Sequence, residues 1–183
     1  MMGRITGMVA SLVLLSPTLV GAQVPTTATD IPWEEIQAVL DSPEGGTDRQ
    51  LKVVDIGPSN VAVGILHRTA TDVAGGPVRG IVHTQVTEVY YIISGSGTLV
   101  TGGRIVNQSE PMEGPVVDNV VGPSFTGESR GGQVRVVSEG DVVVIPAGVF
   151  HGWPVVPDHV TYLSVRPDPA KVLPAGYSNP AIQ

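Results

Sequence analysis

The chain has 183 residues, with 10 basic and 17 acidic side chains and no cysteine. The resulting net charge of −7 disfavours nucleic acid and anionic membrane surfaces as partners. The lack of cysteine excludes disulfides, thiolate metal ligands and a cysteine nucleophile. The 23 glycines and 16 prolines, together with many short valine-rich runs, favour an all-β fold, and the length suits one domain.

Residues 1–22 have the pattern of a secretory signal peptide. Arg4 supplies a positive start, an apolar run follows to Val20, and small residues end the segment before Gln23. A membrane anchor is the alternative, but the short apolar length and the polar residues within it argue against one. We therefore predict a secreted or periplasmic protein with no membrane partner once the signal is removed.

Residues 23–49 are predicted to be a linker followed by one short helix. Asp30 is a candidate helix cap, Pro32 suits the first turn, and apolar residues recur at helical spacing from Trp33 to Leu40. The apolar stripe is expected to pack on the main domain or on a partner subunit.

The main domain is predicted to span residues 50–166, with a tail at 167–183. Short strand-like runs bounded by turn residues lie at 51–56, 60–68, 98–101, 134–137 and 160–165. Residues 104–133 interrupt them as a long segment, in which 105–106 and 116–121 could form an extra hairpin. This segment is either a surface insertion without a role or a lid or wall over the mouth of the domain.

The most informative stretch is residues 75–97, GGPVRGIVHTQVTEVYYIISGSG. His83 ends one strand-like run, a turn is predicted near 85–87, and Glu88 begins the next run. Because side chains alternate along a strand, Glu88, Tyr90 and Ile92 are expected to share one face. The glycines at 95 and 97 are expected to break this strand.

A second stretch, residues 140–155, contains GDVVVIPAGVFHGWPV. It predicts a strand at 142–145, a Pro-Ala-Gly turn, and a strand at 149–153 that carries His151. If both stretches pack inside one barrel, His83, Glu88 and His151 converge. Two imidazoles and one carboxylate form a three-ligand set with open positions, as in non-haem iron sites.

The two stretches resemble the two motifs of the cupin family. The first motif, G-x5-H-x-H-x(3,4)-E-x6-G, is matched by Gly75, His83, Glu88 and Gly95, with Ile81 in place of its first histidine. The second, G-x5-P-x-G-x2-H-x3-N, is matched by Gly140, Pro146, Gly148 and His151, with Val155 in place of its asparagine.

The resemblance implies a cupin-like double-stranded β-helix, or jelly-roll, barrel that is often a homodimer and holds a divalent transition metal (Fe, Mn, Zn or Ni). Ile81 lies two residues before His83 and is expected to leave the same strand face. It would form an apolar wall beside the metal and leave one position for water, a substrate, Gln85 or His67.

Tyr90 and His67 are the candidate catalytic residues. Tyr90 is expected on the same face as Glu88, where its hydroxyl could transfer a proton; the alternative is a packing aromatic with a satisfied hydroxyl. His67 is expected at the rim of the barrel interior, on one face with Val61, Val63 and Ile65; the alternative is a hydrogen-bonded surface histidine.

Three functions remain open from the sequence. The first is an exported metalloenzyme acting on a small organic molecule, of oxygenase, lyase or isomerase type. The second is a barrel that binds a sugar or metabolite without catalysis. The third is a barrel with a decayed metal site, in which Ile81 marks the loss. A small-molecule substrate or ligand is the predicted partner in the first two.

Overall fold

The computed structural model describes residues 25–43, 46–73 and 75–182. The predicted signal peptide lies outside the described residues. Within the described part of the chain, no helix is both long and apolar enough to cross a lipid bilayer.

The predicted all-β class is confirmed, since one short α-helix, α1 (Trp33–Asp41), accompanies a set of β-strands. The strands are β1 (Asp48–Asp55), β2 (Asn60–Asp72), β3 (Val78–His83), β4 (Glu88–Thr101), β5 (Arg104–Val106), β6 (Ser124–Arg130), β7 (Gln133–Ser138), β8 (Val142–Ile145) and β9 (His151–Asp168).

Strand β9 organises the sheet because it pairs with three other strands. It pairs antiparallel with β2, β4 and β3, and the order β1-β2-β9-β3-β6-β5 runs across the sheet. Strand β4 pairs with β7 and β8 as well as with β9. The sheet thus wraps around a shared interior, as the barrel prediction requires.

One buried apolar cluster fills that interior. Its side chains come from β2, β4, β7, β8 and β9: Leu66, Tyr90, Ile92, Leu99, Val137, Val143, Ile145, Trp153, Val156, Val160 and Tyr162. Burial of this apolar area is the main force that holds the wrapped sheet together.

Helix α1 packs on the outside of this sheet. Ile36 and Val39 of the helix pack with Leu51 of β1 and Ile65 of β2, as predicted for the apolar stripe, but Trp33 of that stripe is 49% exposed. The predicted cap at Asp30 is wrong, because Pro32 occupies the N-cap position and no side chain caps the helix.

Two strands are longer than the sequence pattern predicts. The glycines at 95 and 97 do not break β4; instead the pairing register with β9 shifts around Gly95, which has a φ of 76°. Such a shift is a bulge, and glycine accepts the positive φ without strain. Strand β9 likewise runs without interruption where separate strands at 149–153 and 160–165 were predicted.

The long segment at 104–133 has its own structure. The predicted hairpin between 105–106 and 116–121 is wrong, because Val117–Val121 form a π-helical turn. β5 pairs instead with β6, which in turn pairs with β3. The segment is therefore built into the sheet.

The tail after β9 lies against β1. Val53 donates its N–H to the Tyr177 carbonyl at 3.0 Å, and Asn179 donates its N–H to the Leu51 carbonyl at 2.8 Å. The tail therefore covers the outer edge of β1.

Candidate metal centre

Two glycines allow β3 and β9 to approach closely beside the predicted site. A Cβ atom at Gly80 would overlap the carbonyl oxygen of His151, and a Cβ atom at Gly152 would overlap the carbonyl oxygen of Arg79. Ile81 pairs in register with His151. The close approach brings the end of β3, where His83 lies, next to the start of β9.

The structure brings His83, Glu88 and His151 together, and their ligand atoms lie within 4.8 Å of one another. Oε2 of Glu88 is 3.4 Å from Nε2 of His83 and 3.2 Å from Nε2 of His151. All three side chains are at most 4% exposed. They form a compact group of metal-ligand atoms sealed from bulk water.

The hydrogen bonds of Ser124 fix the tautomer of His83. The Ser124 hydroxyl donates its only proton to the Gly122 carbonyl at 2.8 Å, so it can only accept from Nδ1 of His83, also at 2.8 Å. Nδ1 therefore carries the proton of the neutral ring. Nε2 is left with a lone pair that faces Glu88.

His151 has the same tautomer for a similar reason. Its Nδ1 lies 3.2 Å from the carbonyl oxygen of Val149, which can only accept a hydrogen bond. The proton of the neutral ring therefore sits on Nδ1, and the Nε2 lone pair faces the Glu88 carboxylate. Fixing the outer nitrogen in this way is how metal-binding histidines are oriented in proteins.

Glu88 is held as a carboxylate. Its Oε1 accepts hydrogen bonds from Ser164 and from Nε of Arg166, both at 2.9 Å. Burial alone would raise the pKa of Glu88, but the adjacent Arg166 guanidinium holds that pKa well below its usual value. The carboxylate therefore keeps its charge, and Oε2 is the oxygen that remains for a ligand role.

Arg166 is fully buried and has further partners. It donates from Nη1 to Gln50 at 2.9 Å and pairs through Nη2 with Asp48. Arg166 thus gives both carboxylates, Glu88 and Asp48, a cationic hydrogen-bond partner, as buried ionic groups require.

His83 is electrically suited to metal binding. Burial lowers its pKa, and the neighbouring Glu88 carboxylate opposes only part of that effect. The ring is thus neutral at neutral pH, which is the protonation state that a metal ligand needs.

The donor set fits a divalent transition metal. Ligands about 2.0–2.2 Å from a common metal lie roughly 2.8–3.6 Å apart at octahedral or tetrahedral angles, which agrees with the contacts to Glu88. In the neutral state, two nitrogen lone pairs and one carboxylate oxygen face each other with no proton between them. A cation at their centre satisfies all three.

Tyr90 also reaches the site. It is buried, and its hydroxyl donates to Oε2 of Glu88 at 2.7 Å. Burial raises the pKa of Tyr90 well above its usual value, so the phenol keeps its proton. Its ring packs in the core and its hydroxyl has an acceptor, as the packing alternative predicts, whereas the proton-transfer role stays a prediction.

His67 is not placed at the site. It is exposed, and its Nδ1 lies 2.8 Å from the Thr161 hydroxyl. The expected face of β2 is reversed: Ile65 packs under helix α1, whereas Leu66 lies in the barrel core. Because strand side chains alternate, His67 points away from the barrel interior. Gln85 is exposed as well.

Ile81 lies where an apolar wall was expected. Together with His151 it lines a cavity of about 690 Å³, which gives this site room for a small molecule. The remaining lining residues include Asn107, Thr126, Gly127 and Glu128 of the 104–133 segment. That segment therefore forms one wall of the cavity.

Several site residues were missed by sequence reasoning. Ser164 and Arg166 lie on the inward face of β9 with Val160 and Tyr162, and all four are buried. The alternation in VTYLSVR places Ser164 and Arg166 on the same face as Tyr162. Strand patterns nevertheless assign polar residues to the solvent face, so the two residues were not identified as buried. Ser124 had no local signal, since it lies 41 residues from His83.

No protein-family model and no curated protein matches the sequence. Solved structures do match. A protein from Bacillus halodurans is 14% identical with a TM-score of 0.47, over 85% of this chain and 92% of that chain. An RmlC-like cupin family protein with a double-stranded β-helix fold, from Methanocaldococcus jannaschii, is 14% identical with a TM-score of 0.39, over 70% and 88%.

A recombinant oxalate oxidase in complex with glycolate is 20% identical with a TM-score of 0.38. The match covers 70% of this chain and 54% of the oxidase chain, so it spans about half of that protein. Cupin and double-stranded β-helix proteins thus stand among the structural matches, in agreement with the two sequence motifs.

Proposed function

We propose that this protein is an exported metalloprotein of the cupin type that binds one divalent transition metal on His83, Glu88 and His151. The observation that carries the proposal is the convergence of two imidazole lone pairs and one carboxylate oxygen with no proton between them. Mixed nitrogen and oxygen ligands suit Fe, Mn, Zn or Ni.

The proposed activity is the conversion of a small organic molecule in the adjoining cavity, of oxygenase, lyase or isomerase type. A bound metal would supply Lewis-acid or redox chemistry there. Ser164 and Arg166 orient Glu88. The Tyr90 hydroxyl donates its proton to Oε2 of that carboxylate, with 2.7 Å between the two oxygens. Ile81 and Trp153 contribute apolar side chains to the walls of the cavity.

Metal analysis of protein purified without an affinity tag tests the first part of this proposal. We expect about one equivalent of a transition metal per chain. Oxygen uptake and product analysis with a panel of small substrates then test catalysis. The absence of any transition metal after growth in metal-supplemented medium would contradict the proposal.

A non-catalytic ligand-binding barrel is the second candidate. The cavity volume of about 690 Å³ is typical of small-molecule sites whether or not they catalyse a reaction. A compound that binds the metal-loaded protein and is recovered unchanged would favour this function. A barrel with a decayed site would bind neither metal nor ligand.

Export and a homodimer belong to the same proposal. Export is supported by the signal-like pattern of residues 1–22, and intact-mass analysis of protein from a secreting host would give a chain that begins at Gln23. Retention of Met1 would contradict it. Sedimentation equilibrium measures whether the chain is a dimer.

A further inference from the structure

Arg68 is a cation inside the cavity that the metal centre does not use. It lines the cavity with Ile81, His151 and Trp153. Its Nε donates to the Tyr162 hydroxyl at 3.0 Å, and its guanidinium carbon lies 6.0 Å from the centre of the Trp153 ring. Both terminal amino groups of Arg68 lack a hydrogen-bond acceptor among the described residues.

No carboxylate in the described ranges forms an ion pair with Arg68. Tyr162 is not a counter-charge, since burial raises its pKa to about 12 and keeps the phenol neutral. Asp48 pairs with Arg166 instead. Of the other charged residues lining the cavity, Arg79 and Glu128 form a pair with each other at 3.6 Å. Asp48 acts on Arg68 only at longer range, so the cavity holds a guanidinium that no carboxylate of the described residues contacts directly.

Trp153 provides a second donor without a partner. The residue lines the same cavity and is 8% exposed, and its Nε1–H is buried with no acceptor among the residues that the structure describes. A buried indole N–H normally finds an acceptor, because leaving it unpaired costs about 1–3 kcal/mol. Two residues that line the cavity, Arg68 and Trp153, thus carry donor groups that have no acceptor among the described residues.

We propose that the cavity binds the carboxylate group of a small organic acid through the terminal amino groups of Arg68 and the Nε1–H of Trp153. A carboxylate matches the planar guanidinium fork and supplies both missing features, negative charge and acceptor oxygens. This inference names the ligand class of the proposed function. It rests on that function only for the claim that the other end of the organic acid faces the metal.

The position of Arg68 relative to the metal centre suits a small molecule. Tyr162, which Arg68 contacts, packs against Tyr90 with ring centres 4.5 Å apart, and Tyr90 contacts Glu88. Two aromatic residues therefore separate the cation from the metal-ligand cluster. His151 and Trp153 lie two residues apart on β9 and line the same cavity. A ligand whose carboxylate lies at Arg68 and Trp153 would therefore share one cavity with the metal-ligand candidate His151.

The test compares acetate with acetamide, which has nearly the same size and no charge. The chain has two tryptophans, so the variant Trp33→Phe leaves Trp153 as the only indole fluorophore. Both probes are titrated into this variant at constant ionic strength, as purified and after loading with Mn²⁺. We expect a saturable change in Trp153 fluorescence with acetate, and at least about tenfold weaker binding of acetamide.

Substitutions at two arginines of the cavity make the assignment specific. Arg68→Met should weaken acetate binding by at least about tenfold, whereas Arg79→Met, at a side chain that is 84% exposed, should change it less than about twofold. Arg68→Lys keeps the charge and loses the fork, so it should give an intermediate loss. Circular dichroism checks that each variant is folded.

Equal binding of acetate and acetamide would overturn this proposal, as would no saturable response or equal losses in the Arg68 and Arg79 variants. The acetate against acetamide comparison needs no substitution at Arg68, so it decides the matter even if those variants fail to fold. If acetate binds but the protein retains no metal after loading with Mn²⁺, the anion site stands and the metal proposal is rejected. If the protein retains the metal but does not prefer acetate to acetamide, the metal proposal stands and the anion site is rejected.

Discussion

The chain contains two pairs of neighbouring histidine rings, and only one of them forms a site. His83 and His151 have ring centres 5.0 Å apart and are buried, whereas His67 and His159 have ring centres 5.8 Å apart and lie at the surface. Ring proximity is therefore similar in the two pairs. What differs is the set of groups that surrounds them.

The buried pair shares one carboxylate oxygen, and the surface pair does not. Both Nε2 atoms of the buried pair face Oε2 of Glu88, and both Nδ1 atoms are fixed by acceptors. In the surface pair, Nδ1 of His159 contacts the solvent-exposed Asp158, and Nδ1 of His67 contacts Thr161. The comparison teaches that a shared buried carboxylate and fixed tautomers, more than two close imidazoles, distinguish the candidate metal centre.

The largest expected effect is on stability and comes from Arg166, which keeps Glu88, the carboxylate shared by the buried histidine pair, ionised. Arg166→Met leaves Glu88 and Asp48 without their partner, and we expect a loss of about 3–5 kcal/mol in the free energy of unfolding. Urea denaturation measures it. The control Lys171→Met breaks an exposed pair with Asp55 and should cost less than about 1 kcal/mol. Equal losses would contradict the role given to Arg166.

The next effect separates the two pairs directly. His83→Ala or His151→Ala should weaken metal binding by at least about 100-fold, because each removes one of three protein ligands. His67→Ala and His159→Ala are the matched controls and should leave the metal affinity unchanged. Competition titration with a chromogenic chelator measures all four variants. Metal that is retained in both variants of the buried pair would place the site elsewhere.

A smaller effect is expected from the hydroxyl groups that hold the outer ring nitrogens. Ser124→Ala removes the acceptor for Nδ1–H of His83 and should weaken metal binding about 10- to 100-fold. Thr161→Val removes the corresponding hydroxyl beside His67 and should have no effect on metal affinity. The same chelator titration decides between them, and a similar change in both variants would reject the tautomer argument.

The smallest effect is a dependence of stability on pH in the metal-free protein. Burial lowers the pKa of His83 in the folded state below its unfolded value of about 6.5. The unfolded chain therefore binds more protons, so stability is complete above about pH 6.5 and falls as pH drops through the folded pKa, by at most about 1.4 kcal/mol per pH unit.

Urea denaturation between pH 5 and pH 8 tests this dependence. His83→Asn should flatten the curve in the acidic range, whereas His67→Ala should leave it as it is. A curve that His83→Asn does not alter would show that His83 contributes nothing to the acid sensitivity.

Several parts of the molecule could be predicted from local sequence. Glu88 and Tyr90 lie two residues apart on one strand, and both point inward as the alternation of strand side chains requires. The turn residues before Glu88 and before His151 set where β4 and β9 begin. The all-β class and the convergence of His83, Glu88 and His151 followed from these local rules together with the two motifs.

Only the tertiary structure decided which strand faces look inward and which distant residues meet. Strand periodicity shows which residues share a face of a strand, but it does not show which face meets the core. His67 was therefore expected inside the barrel. In the structure, helix α1 covers the face that carries Ile65, and Leu66 and Arg68 point toward the interior. Arg166 reaches Glu88 across 78 residues of sequence, and no local pattern encodes such a contact. It arises because β4 and β9 pair, and the burial that pairing creates makes the buried carboxylate require a cation.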